Sequence, residues 1–113
     1  MLDHDDTDLM LVMEQSTAYL EVPLYDRNGV ESVPTSATFT VHDVESGTEV
    51  VASTALTPAA TLNIALRPVD NRILHPASRR ERRRVTVCAL YGVDDQLVVV
   101  QDYIVVKAGF LAT

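Results

Sequence analysis

Residues 79–84 read RRERRR, five arginines and one glutamate in six positions. Clustered guanidinium groups suit bidentate pairing with carboxylates or phosphates. Three uses follow: the solvated or internally paired mouth of a β-strand, a docking site for an acidic partner, or a nucleic-acid contact. The surroundings disfavour the third. The 113-residue chain carries a formal charge of -7, which repels a phosphate backbone, and no aromatic residues interleave with the arginines to stack on bases. The other reactive groups are scattered. Cys88 is the only cysteine, so no internal disulfide forms, and a nucleophilic role would need a base and an orienting partner that the sequence does not place nearby. His4, His42 and His75 lack metal-ligand spacing. Asp94 and Asp95 sit in a glycine turn with too few oxygen ligands for a calcium loop. There is no tryptophan to build a sugar-cleaving pocket among the many carboxylates. The expectation is a protein that is not an enzyme and uses no metal or cofactor.

The elements that must carry these residues alternate with period two and are rich in Val, Thr, Ile and Tyr, which predicts an all-β chain. Ala18, Leu20, Val22 and Leu24 share one face, with Pro23 marking an edge or bulge. Ala37, Phe39 and Val41 face inward in the next strand, then Leu62, Ile64 and Leu66, then Val85, Val87, Ala89 and Tyr91. Residues 96–107 read as a strand covered on both sides, or bulged near Gln101 and Asp102. Asn28-Gly29, Ser46-Gly47 and Tyr91-Gly92 are turn signals, Ser46-Gly47 the best hairpin among them. Short helical turns have room only in VPTSAT and HPASRRERR. Six or seven such strands predict an immunoglobulin-like β-sandwich of about seven antiparallel strands, without the Cys and Trp hallmarks of antibody domains.

On this register Arg82 and Arg84 point outward, Arg83 bends out at the strand entrance, and Arg79 and Arg80 lie in the preceding loop. Single charge reversals among them should then barely change stability. Residues 1–8 form an acidic tail and 9–113 a single domain. Leu9, Met10, Leu11, Val12 and Met13 are too few to cross a bilayer and cannot stay wet comfortably. Residues 9–15 form either the first strand or an arm donated to a neighbour's sheet edge. The start has no basic leader, which predicts a soluble product of the cytoplasm. The separation of acidic arm and arginine loop also motivates self-association by opposite ends.

Three segments, VPTSATFTVHDVESGTEV, TLNIALRPVDNRIL and ERRRVTVCALYGVDDQLVVVQDYIVV, resemble the small immunoglobulin-like accessory proteins of tailed-bacteriophage virions. The resemblance covers residues 30–107. It implies a structural component of the particle (head decoration, head-tail connector or collar, or tail accessory) that binds other virion proteins as a homo-oligomer or as many copies on a symmetric lattice. It implies no catalytic residue and makes Asp70 and Asn71 a local turn element. The expected contacts are Arg79, Arg80, Arg82, Arg83 and Arg84 together with Leu9, Met10, Leu11, Val12 and Met13. The alternative is a host-attachment module recognising a carbohydrate or protein receptor, for which Tyr19, Tyr25 and Tyr103 are the candidate exposed aromatics at a loop end.

Overall fold

A computed structural model describes residues 9–108. The expected tail, residues 1–8, and the last five residues lie outside them. Among the described residues seven strands follow in order: β1 (Met10–Met13), β2 (Ala18–Pro23), β3 (Ser36–Asp43), β4 (Glu49–Leu56), β5 (Thr61–Leu66), β6 (Arg80–Tyr91) and β7 (Asp95–Val106). The chain is all-β. One sheet has the order β1-β7-β6-β3-β4 and the other pairs β2 with β5. Every ladder is antiparallel except that of β1, which joins β7 in parallel, with Val12 opposite Val105. Residues 10–13 therefore extend their own chain's sheet.

Period-two alternation sets which side chains the layers enclose. Leu20, Val22, Leu62, Ile64 and Leu66 from the smaller sheet share one core with Phe39, Val41, Val85, Val87 and Val105 from the larger. Pro23 ends β2 without donating, and the next amide, that of Leu24, donates to the Ala60 carbonyl at 2.8 Å. The β3–β4 and β6–β7 connections are hairpins through Gly47 and Gly92, both at positive φ, where a side chain would be strained. In the first, the Gly47 amide donates to the Asp43 carbonyl at 2.8 Å.

Several expectations need correcting. No bulge interrupts β7, which pairs with β6 over twelve consecutive positions. Its last four residues are buried on both faces because β1 closes that end of the sheet. The only short helix among the described residues is a 3₁₀ turn at Pro68–Asn71, in neither predicted segment. Pro68 supplies the fixed φ for its start, and Asp70 accepts from the Arg67 amide at 2.9 Å. Asp70 thus makes the local bond expected of it, whereas Asn71 does not. The Asn71 amide donates to the Ser16 carbonyl at 2.7 Å, its oxygen accepts from the Tyr103 hydroxyl at 2.7 Å, and its carbonyl accepts from the Gln15 amide. One buried asparagine therefore ties the β1–β2 link, the crossover before β6, and β7 together.

Tyr103 is accordingly buried and not an exposed aromatic. Burial pushes its hydroxyl pKa up to about 12, so its contribution is complete below the ordinary value of 10.0 and is lost as pH rises toward 12. Tyr103→Phe should cost about 1–3 kcal/mol in urea unfolding, because the Asn71 oxygen loses its donor in a dry site. A loss under about 0.5 kcal/mol would mean that water replaces the hydroxyl.

Candidate functional site

The arginine run lies on β6, which starts at Arg80, two residues earlier than the sequence predicts. Its parity does not change where the charges begin. Glu81 and Arg83 point inward in line with Val85, Val87 and Ala89. Arg83 bends in, not out, and is 0% exposed. Its Nη2 donates to Glu81 Oε1 at 2.6 Å and to the Arg72 carbonyl at 2.8 Å. Nη1 donates to the Asp70 carbonyl at 3.1 Å, and Nε reaches Asp43 Oδ1 at 3.3 Å.

Each carboxylate is held from its far side. Glu81 accepts from the Leu74 and His75 amides and bonds the His75 ring, all at 2.9 Å. Asp43 accepts from the Ser46 amide and hydroxyl at 2.9 and 2.7 Å. Burial alone would raise both carboxyls. The hydrogen bonds, including those from Arg83, outweigh it and hold both below their usual values. The cluster is a brace: it fixes the crossover before β6 and the β3–β4 hairpin to the core, and it leaves no part of Arg83 for a partner.

Arg82 and Arg84 do point outward, and Asp102 on β7 takes both. Arg82 Nε donates to it at 2.8 Å and Arg84 donates twice at 2.9 Å. Here too burial would raise the carboxyl and the two arginines hold it low. Arg79 and Arg80 are exposed. Of the apolar N-terminal residues, Val12 points into the core, Leu9 is half-buried, and Met10, Leu11 and Met13 are exposed along the β1 edge.

The opposite edge, β4, is blunted. Two register shifts interrupt its pairing with β3, and Thr54 Oγ1 caps the Ala52 carbonyl at 2.8 Å. Bulges of this kind discourage strand addition. The outer face of the same sheet is open. Three lateral rows cross it without a charge: Ser36, Leu90 and Gln96; Thr38, Cys88 and Val98; Thr40, Thr86 and Val100. Val98 and Val100 are each 52% exposed. The next row, His42, Arg84 and Asp102, is charged and bounds the patch.

A cleft of about 640 Å³ opens at the end of the molecule where the β2–β3 loop meets the β6–β7 hairpin. Tyr25, Asp26 and Asn28 line it from the loop, and Tyr91, Gln96 and Leu97 from the strands. Arg27 bridges the two walls with bonds of 2.5 and 2.6 Å to the Asp95 carboxylate. The Tyr91 hydroxyl donates to the Ser32 carbonyl at 3.0 Å. Burial first, and then the Asp26 charge, raise its pKa. Sequence reading marked Tyr25 but passed over Tyr91, which parity alone assigns to the core.

Among the described residues no three metal-capable side chains converge, and no helix is long and apolar enough to cross a membrane. Comparison with protein-family models, curated proteins and solved structures finds no match.

Proposed function

We propose that this protein is a structural component of a tailed-bacteriophage particle, built as an immunoglobulin-like β-sandwich and acting by binding other virion proteins. The strand order supports the architectural part. A β7-β6-β3-β4 sheet facing a β2·β5 pair follows the G-F-C-C′ and B·E arrangement of such sandwiches. The observation that carries the binding role is the uncharged outer face of the larger sheet, with Leu90, Val98 and Val100 open to solvent.

The size of that face shapes the mechanism. Three rows across three strands amount to roughly 300 Å², well under the about 800 Å² per partner of a stable standard interface. One copy would hold weakly, and repetition on a symmetric particle supplies avidity. The partners are capsid, portal or neck, or tail proteins, with further copies of the chain itself. Neither nucleic acid nor a membrane enters the scheme. The chain is made in the host cytoplasm and resides in the virion.

The test is mass spectrometry of gradient-purified particles from the phage that encodes the chain. Its peptides should be present at multi-copy stoichiometry, and particles carrying Val98→Asp should lose it. Particles lacking the chain altogether would overturn the reading. The attachment alternative draws on a different observation, the tyrosine-lined cleft.

A further inference from the structure

The cleft between the β2–β3 loop and the β6–β7 hairpin holds polar groups that the protein itself does not use. Asp26 Oδ1 accepts from the Asn28 and Val30 amides at 2.8 and 3.1 Å. Among the described residues, Asp26 Oδ2, the Tyr25 hydroxyl and the side-chain amides of Asn28 and Gln96 have no hydrogen-bond partner. Beside them stand two phenol rings. Tyr25 is 49% exposed, and Tyr91 is anchored through its hydroxyl to Ser32.

Charge narrows the ligand. The Arg27 guanidinium is neutralised by Asp95, so the lining carries the surplus negative charge of Asp26. A phosphate or carboxylate ligand would meet repulsion with no cation left to receive it. A metal ion would find one carboxylate oxygen among neutral amides, too few for a cation cage. What fits is a neutral molecule with an apolar face to lie on tyrosine and a rim of hydroxyls that both donate and accept. The volume is that of a small-ligand site. We infer that this cleft is a saccharide-binding site, with the Tyr25 ring as platform and Asp26, Asn28 and Gln96 as the hydroxyl-reading groups.

The Arg27 to Asp95 bridge acts as a strap. It joins the two walls across 68 residues of sequence. The site lies where the β2–β3 loop meets the β6–β7 hairpin, and it shares one residue with the docking face, Gln96, which ends the first uncharged row. Binding is read on the purified chain and particle membership on virions, so either idea can fail without the other.

The experiment is an amide-resolved NMR titration of the full chain with glucose, galactose, N-acetylglucosamine and rhamnose, and with disaccharides of each, up to about 50 mM. At least one sugar should shift residues 25–28 and 91–97 in a saturable manner. Tyr25→Ala should weaken that binding about tenfold and Tyr25→Phe by much less, since the ring rather than the hydroxyl forms the platform. Gln96→Leu should weaken it with no change in melting temperature. Tyr19→Ala removes an equally aromatic but remote side chain, 75% exposed on β2, and should leave binding unchanged. No saturable shift with any of these sugars would overturn the inference, as would shifts indifferent to both Tyr25→Ala and Gln96→Leu.

Discussion

Arg83→Met should destabilise the protein by about 3–5 kcal/mol in urea unfolding, the usual cost of leaving a buried charge without its partner. Methionine fills much of the space but offers no donor. Glu81 and Asp43 would then face each other's negative charge inside the core, and the Asp70 and Arg72 carbonyls would lose a donor each. A domain of this size has only about 5–15 kcal/mol to lose, so a sizeable unfolded fraction at 37 °C is the expected phenotype. Arg84→Met is the control. Its partner Asp102 keeps the Arg82 bond, and the loss should stay under about 1 kcal/mol. Equal losses from the two substitutions would mean that the inward placement of Arg83 contributes nothing. The insensitivity to charge reversal expected of the whole run therefore does not extend to position 83.

That contrast shows how residue type overrode a pattern that was correct. The alternation that places Val85, Val87 and Ala89 inward continues without interruption to Arg83 and Glu81, and the one that buries Val41 continues to Asp43. The two strands pair Asp43 with Arg83 directly. Opposite charges at inward parity on neighbouring strands were a readable signal. Isolated arginine is rarely buried, which favours an outward Arg83, although a fully bonded one can be buried. The strand set, the inward faces of β2, β3 and β5 and the three glycine turns were legible because each depends on local chemistry.

The rest depends on distant pairings. Parallel addition of β1 to β7 is set by which edge lies open once the other strands have paired. Asn71 looks like a turn residue until Ser16 and Tyr103 are brought to it. The cleft joins Tyr25 to Gln96, and no spacing in the sequence places two such loops side by side. Of the five arginines expected at contacts, Arg83 is internal bracing, Arg82 and Arg84 point outward onto Asp102, and Arg79 and Arg80 are exposed. An uncharged exposed face lies instead on the Val98 and Val100 side of β7, a strand whose continuous apolar run reads as covered on both sides.

Acidification should weaken the fold through the same brace and through the Asp102 pairs beside it. The carboxyls of Glu81, Asp43 and Asp102 are all held below their ordinary values of 4.5, 3.8 and 3.8. A carboxyl depressed in the folded state contributes stability that is complete above its unfolded value and is lost as pH falls through its folded one. The urea midpoint should therefore hold steady from pH 7 to about pH 5 and then drop steeply toward about pH 3. Loss of net negative charge acts in the opposite direction only down to the isoelectric point near pH 4.7; below it the chain turns net positive and self-repulsion adds to the loss. Glu81→Gln separates the two effects. It starts less stable at neutral pH, since Arg83 and the His75 ring lose a charged partner, but it should lose less on acidification, because one depressed carboxyl is gone. Arg83→Met should behave likewise, its deficit narrowing at low pH as the carboxyls it abandons take up protons and no longer repel. If the midpoint stays flat to pH 3, or if the wild type and Arg83→Met fall in parallel, the buried arginine does not help to hold the Glu81 and Asp43 carboxylates ionised.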